Sequence, residues 1–164
     1  MPLTTDDKLE IMELVARYNF AIDRREPEGW ANVFTEDGAL WSDGNLRAAG
    51  RKDLEEYMRL SARNGHPIRH FTSNTLIEGD GDHATLRMYV MAWNIANGGM
   101  VPYVMGEYDD ILARVDGRWK FQLRRVTPHA GKVLPQPVKS PPQAGRAAPA
   151  SLKMRAAPNS DQRR

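Results

Sequence analysis

The chain has 164 residues, a formal net charge of +2 and no cysteine. This length predicts one domain, or one domain and a tail, and the lack of cysteine excludes disulfides, thiolate nucleophiles and cysteine metal sites. The sequence contains no run of about 20 apolar residues and begins without a signal-peptide pattern, so we expect a cytoplasmic protein with no membrane span.

Residues 132–164 differ from the rest of the chain in composition. They are rich in Pro, Ala, Gln and Ser and show no periodicity, which predicts a disordered tail after a domain at residues 1–131. The tail holds seven Lys and Arg against Asp161, a formal +6, which leaves −4 for residues 1–131 of a chain whose total is +2. Because the domain is mildly acidic, nucleic acid is not expected as its main partner.

Three helices are predicted before residue 65. Thr5 or Asp6 caps the first, whose apolar stripe is Ile11, Leu14, Val15, Tyr18 and Ile22. The stretch "PEGWANVF" reads as a short second helix that ends at Asp37-Gly38. Helical spacing of apolar residues predicts the third at residues 52–63.

The pattern then changes to β-branched and aromatic runs. These are "RHFTSNTLIE", "HATLRMYVMAWNI", "VPYVMGEYDDILARV" and "RWKFQLRRV", and Asp-Gly or Asn-Gly-Gly turns separate them. Four such strands predict an antiparallel sheet, with a further short strand at "ALWSDG". Helices segregated before the sheet indicate an α+β fold in which they cover one sheet face.

Asp23 stands at the end of the first helix, directly before the charged break "RREPEG". It can be a solvated loop acid that pairs with Arg24 or Arg25, or it can reach beneath the helix into the apolar interior. Helix geometry separates Asp23 from Tyr18 by about 140°, so the two side chains cannot both point straight into one pocket.

The order of several short motifs resembles the SnoaL-like branch of the nuclear transport factor two superfamily over Thr5 to Thr127. The matching pieces are "YNFAID", "W..VFTEDG", "AGRKDLEEYM", "RHFTSN", "DGDHA" and "DGRWKFQ". The resemblance implies a cone in which a long helix and two shorter ones pack in the concavity of a strongly bent sheet. Members include dehydratases, isomerases, cyclases and the non-catalytic small subunits of ring-hydroxylating dioxygenases, so fold alone does not give function.

The resemblance also implies a catalytic pair, Asp23 and His70, with Tyr18 as a third catalytic candidate. A carboxylate bound to one imidazole nitrogen fixes the tautomer and makes the other nitrogen the better base near neutral pH. The second histidine or carboxylate that some family dehydratases supply from the next strand is replaced here by "RMYVMAWN". The sequence therefore predicts a single base, with neutral or cationic groups such as Tyr18, Tyr103 or Arg125 to stabilise a developing oxyanion.

Candidate substrate contacts are aromatic or basic side chains on the predicted strands: Trp41, Tyr89, Trp93, Tyr103 and Arg125. Tyr89 and Trp93 share one strand face, and the sequence leaves open whether that face lines the pocket or forms an oligomer interface. No metal-ligand spacing or cofactor motif is found, so we expect neither a metal nor a cofactor.

These residues favour a cofactor-independent lyase or isomerase that acts on a hydrophobic small molecule. The alternative is a non-catalytic member, either a scaffold similar to a dioxygenase small subunit or a ligand carrier. Met, Tyr and Trp residues expected on the sheet face away from the helices also predict a homodimer or homotrimer through the sheet.

Overall fold

A computed structural model describes residues 1–65 and 67–131, and the predicted tail at 132–164 lies outside these described residues. The helices are α1 (Thr5–Arg24), α2 (Pro27–Asn32) and α3 (Arg51–Asn64). The strands are β1 (Phe34–Ser42), β2 (Asn45–Ala49), β3 (Ile68–Asp80), β4 (His83–Asn94), β5 (Val101–Val115) and β6 (Arg118–Gly131). A single turn of 3-10 helix, Ala96–Gly98, connects β4 to β5. The predicted α+β class is confirmed.

The sheet has six strands, in the order β2-β1-β6-β5-β4-β3. The four long strands and the short one at "ALWSDG", which is the second half of β1, were predicted, whereas β2 was not. β1 runs parallel to β6 while the other pairs are antiparallel. The sequence could not reveal the pairing of β1 with β6, because the paired residues are 84 to 87 positions apart in the chain.

The second helix is shorter than predicted and ends at Asn32. Gly38 does not terminate it but lies within β1, where an added Cβ would stand 2.8 Å from Phe34 Cβ and 3.0 Å from the Phe121 carbonyl oxygen. Gly38 therefore permits close approach of β1 to β6.

The core lies between the three helices and one face of the sheet. Strict alternation in β4 buries Ala84, Leu86, Met88, Val90 and Ala92 and turns the intervening residues outward. From α1 the core receives Ile11, Leu14, Val15 and Tyr18, which is the apolar stripe of the sequence without Ile22. Ile22 packs against the core as a partly buried residue.

Candidate active site

The end of α1 is fixed by Arg25, which adopts a left-handed conformation with φ of 61°. Its guanidinium donates to two carbonyl oxygens at the end of α3, at 3.1 Å from Nη1 to Ala62 and 2.8 Å from Nη2 to Gly65. These bonds hold the last turn of α1 beside the last turn of α3. Arg25 is thus occupied with α3, while the guanidinium of Arg24 lies 5.0 Å from the ring centroid of Phe20.

Asp23, in the last turn of α1, points towards the start of β3. Its Oδ1 lies 2.6 Å from His70 Nδ1, and its Oδ2 accepts a hydrogen bond of 3.1 Å from the His70 backbone N–H. Both side chains are only 8% exposed. The contact predicted between these two residues is therefore present, and Asp23 is not a solvated loop acid.

His70 lies between two hollows. On one side is a cavity of about 160 Å³, lined among others by Tyr18, Trp30, Tyr57, Tyr103 and Tyr108. On the other side is an open cleft of about 290 Å³ between α1 and β3, lined by Asp23 together with Met12, Phe20 and Phe71. Tyr18 and Asp23 thus belong to different hollows, as their separation around the helix predicted, and His70 contributes to both.

Burial raises the pKa of three tyrosine hydroxyls that line the cavity. It raises the pKa of Tyr57 to about 12, and it raises the pKa of Tyr18 and of Tyr108 above the ordinary value. These hydroxyls are consequently neutral near pH 7 and can donate hydrogen bonds to a ligand oxygen.

Of the five predicted substrate contacts, Tyr103 lines the cavity. The others lie on the outer face of the sheet and require correction: Trp41, Tyr89, Trp93 and Arg125. For the two residues of β4 the reason is the two-residue period of a strand. In β4 the inward positions are those of Met88, Val90 and Ala92, so Tyr89 and Trp93 face outward.

Arg125, a predicted substrate contact, faces away from the cavity. Its guanidinium bonds to Asp109 at 3.1 Å on the outer face. Its neighbour Arg124 is fully buried beneath the cavity and bonds to Asp110 at 2.6, 3.0 and 3.2 Å.

The adjacent pairs "DD" and "RR" therefore supply one ion pair to each face. Alternation with the buried Tyr108 and Leu112 indicates that Asp110 faces inward, but in β6 the register shift between Ile111 and Leu112 interrupts the alternation and turns Arg124 inward.

The buried pair sits within an aromatic shell. The Cζ atom of Arg124 lies 4.1 Å from the ring centroid of Tyr18, 3.9 Å from that of Tyr108 and 4.0 Å from that of Phe121. Burial raises the pKa of Asp110 to about 6 against the opposing effect of Arg124, while Asp110 raises the pKa of the guanidinium. Arg124 thus remains a permanent cation below the tyrosines.

Within residues 1–65 and 67–131, no group of three or more His, Asp or Glu side chains is arranged to hold a metal ion. None of the described helices is sufficiently long and apolar to cross a bilayer.

The chain is similar to known proteins in both sequence and structure. A family profile described as a SnoaL-like domain matches residues 4–125. An uncharacterized protein of Mycobacterium tuberculosis is 28% identical over 127 residues, which cover 73% of this chain and 83% of that protein.

Two solved structures extend the comparison. One is a Mycobacterium tuberculosis protein of unknown function, solved as an aspartate-to-asparagine variant, with 39% identity, a TM-score of 0.70 and coverage of 74% of this chain and 71% of that one. The other, provisionally named a scytalone dehydratase, is from Novosphingobium aromaticivorans, with 25% identity, a TM-score of 0.69 and coverage of 88% and 99%.

Proposed function

Because the chain belongs to the SnoaL-like domain family, we propose that it is a cofactor-independent lyase or isomerase that removes a proton from carbon in a hydrophobic small molecule. One observation carries the proposal, namely the contact of 2.6 Å between Asp23 Oδ1 and His70 Nδ1 beside an aromatic cavity. The similarity to a structure provisionally named a scytalone dehydratase supports an elimination of water as one form of the reaction.

The contact between Asp23 and His70 gives the two imidazole nitrogens different roles. Nδ1 donates its proton to Asp23, which leaves Nε2 with the free lone pair that a general base requires. Asp23 also accepts from the His70 backbone N–H, so the carboxylate is held by two bonds and the ring keeps one orientation. His70 is thus the proposed base, and Asp23 orients it and stabilises the imidazolium that forms.

The oxygen of the substrate needs a donor when negative charge develops on it. Tyr18 and Tyr103 line the same cavity as His70 and can supply hydroxyl groups for this purpose. Proton removal next to a carbonyl, followed either by loss of a β-substituent or by return of the proton elsewhere, fits this set of groups.

Exchange of carbon-bound hydrogen tests the proposal without knowledge of the natural product. Apolar ketones and β-hydroxyketones are incubated with the protein in D₂O, and loss of the α-proton signal is followed by NMR. We expect enzyme-dependent exchange for some of these compounds and its loss in His70→Ala. Ligand binding without exchange across the set, or exchange that persists in His70→Ala, would favour a carrier or scaffold instead.

The outer face of the sheet supports a proposal about assembly. Phe71, Tyr89, Met91 and Met105 are between 36% and 53% exposed there, a concentration of apolar surface that a monomer would not normally show to water. We propose a homodimer or homotrimer through this face. Light scattering at micromolar concentration should give a mass of at least twice the 18.5 kDa of the chain, and Met91→Lys should lower it; a wild-type mass of one chain would contradict the proposal.

A further inference from the structure

The cavity beside His70 is small for a ligand site. Its volume is about 160 Å³, whereas pockets that take drug-sized ligands hold roughly 300–1,000 Å³. An apolar protein cavity of about 150 Å³ accepts one benzene molecule. By this measure the cavity has room for about one six-membered ring.

Aromatic rings packed against one another form much of the cavity wall. The ring centroid of Tyr18 lies 5.5 Å from that of Trp30 and 6.0 Å from that of Tyr108. These three residues are at most 3% exposed, and the ring of Tyr57 stacks on Trp30 at 6.0 Å. Because the rings could move outward only with loss of their own contacts, this wall does not yield easily to a larger ligand.

Met58 is a part of the wall that is not a ring. It lies on α3, lines the cavity and is 2% exposed. Its truncation would therefore enlarge the cavity and leave every aromatic ring in place. Met88 on β4 is similarly buried, at 4% exposed, but it lines the cleft between α1 and β3 on the other side of His70. The two methionines thus allow the cavity and the cleft to be enlarged separately.

We infer that the substrate is a monocyclic compound: a single six-membered ring enters the cavity, and a fused second ring is excluded. A flexible substituent on that ring need not be enclosed, because the cavity is bordered by the exposed Arg25. Met58 is then the residue that limits the size of the ligand. This inference rests on the proposed function and deepens it, because it narrows the hydrophobic substrate to compounds with one ring.

The first test compares phenol with 1-naphthol and 2-naphthol, which carry the same hydroxyl and differ from phenol by one fused ring. Each further buried carbon strengthens binding by up to about fourfold. A second ring that found room would therefore increase the affinity at least about tenfold. In NMR titrations of the wild type we expect phenol to bind and neither naphthol to bind more tightly than phenol.

The second test enlarges the cavity. Met58→Ala should tighten the binding of a naphthol at least about tenfold and leave that of phenol nearly unchanged, because only the second ring uses the added space. Met88→Ala is the matched control, since it removes the same atoms from a buried position at the cleft and should change neither affinity. Truncation of a buried methionine costs stability, so Met58→Val is measured as well; it removes less of the side chain and should give a smaller gain.

Wild-type protein that fails to bind phenol, or that binds a naphthol at least about tenfold more tightly than phenol, would overturn the inference. So would a naphthol affinity that responds to neither variant of Met58, or that responds equally to Met88→Ala. Neither test requires turnover. Selection of one ring without hydrogen exchange would reject the proposed reaction and retain the size limit, whereas equally fast exchange of single-ring and fused two-ring ketones would retain the reaction and reject the limit.

Discussion

Helix α1 carries an aspartate in its first turn and another in its last, and the two have opposite surroundings. Asp7 accepts hydrogen bonds from Thr4 N at 2.8 Å, Thr4 Oγ1 at 2.7 Å and Trp119 Nε1 at 3.2 Å, and it pairs with Arg114. Asp23 is held by His70 through the ring nitrogen and the backbone N–H. The helix macrodipole stabilises a carboxylate at the first position and disfavours one at the second.

The difference shows that the same side chain stabilises the fold at one end of α1 and contacts a histidine, our proposed base, at the other. None of the partners of Asp7 acts as a base near neutral pH, so this acid can only join α1 to the hairpin of β5 and β6. Asp23 occupies the unfavourable end, and its partner is the one side chain that ordinarily gains and loses a proton near pH 7. The position of Asp23 therefore needs an explanation other than a contribution to helix stability.

The largest effect is expected from substitutions at the last turn of α1, the proposed catalytic end. His70→Ala and Asp23→Asn should each reduce the rate of hydrogen exchange about 10²–10⁴-fold, the usual contribution of a general base, while circular dichroism stays unchanged. The double variant should be little slower than either single one, because the two residues act as a unit. Strictly additive losses would instead mean that Asp23 and His70 work separately.

The next largest effect is expected from a substitution in the first turn of α1, where Asp7 stabilises the fold. Asp7→Asn should lower the melting temperature by several degrees, because the neutral amide weakens the cap and the pairing with Arg114. Asp6→Asn is the matched control, since Asp6 lies in the same first turn but is exposed and has no part in the capping box. Equal losses in the two variants would assign the effect to the macrodipole alone.

The lowered pKa of Asp7 should make the stability of the fold depend on pH under acidic conditions. Hydrogen bonds from the Thr4 side chain and backbone, followed by those from Trp119 and Arg114, hold the pKa of Asp7 well below its ordinary value. Below about pH 4 the unfolded chain therefore binds a proton at this residue that the folded chain does not, so the free energy of unfolding falls on acidification. In Asp7→Asn the fall between about pH 5 and about pH 2 should be shallower, as measured by urea titration at each pH.

The smallest expected effect comes from removal of the tail. A chain that stops after Lys132 keeps both ends of α1, and the composition of the removed segment predicts no contribution to the core. Its melting temperature and its hydrogen exchange should match those of the full chain. A melting temperature lower by more than a few degrees would show that the tail packs on the domain.

The sequence predicted well the features that depend on local pattern. The apolar stripe located α1, Pro27 located the start of α2, and the four long strands followed from their turns. Thr4, one residue before the expected cap, proved to be the N-cap of α1. Asp23 and His70 are 47 residues apart in sequence. Their contact was predicted from the family resemblance rather than from the spacing of the two residues.

Features set by distant pairing could not be predicted. Alternation divides β4 into two faces but does not say which face receives the helices, so the sequence left open the face of Tyr89 and Trp93, which the structure places outward as contacts the cavity cannot use. Arg124 could not be predicted either, because alternation from Phe121 leads to Arg125 and only the shifted register of β5 against β6 shows that Arg124 lies opposite Asp110.

The second bond of Asp23 has a consequence for association between molecules. β3 is the last strand of the sheet, and an outermost strand presents free backbone groups to which another chain can add. Asp23 Oδ2 occupies one of these groups, the His70 N–H, and the break in register between Ser73 and Leu76, where Asn74 has φ of 56°, interrupts the edge a few residues further on. The carboxylate of Asp23 therefore also closes part of the sheet to intermolecular strand addition, so its replacement by alanine should leave an edge N–H free and make the protein more prone to aggregate.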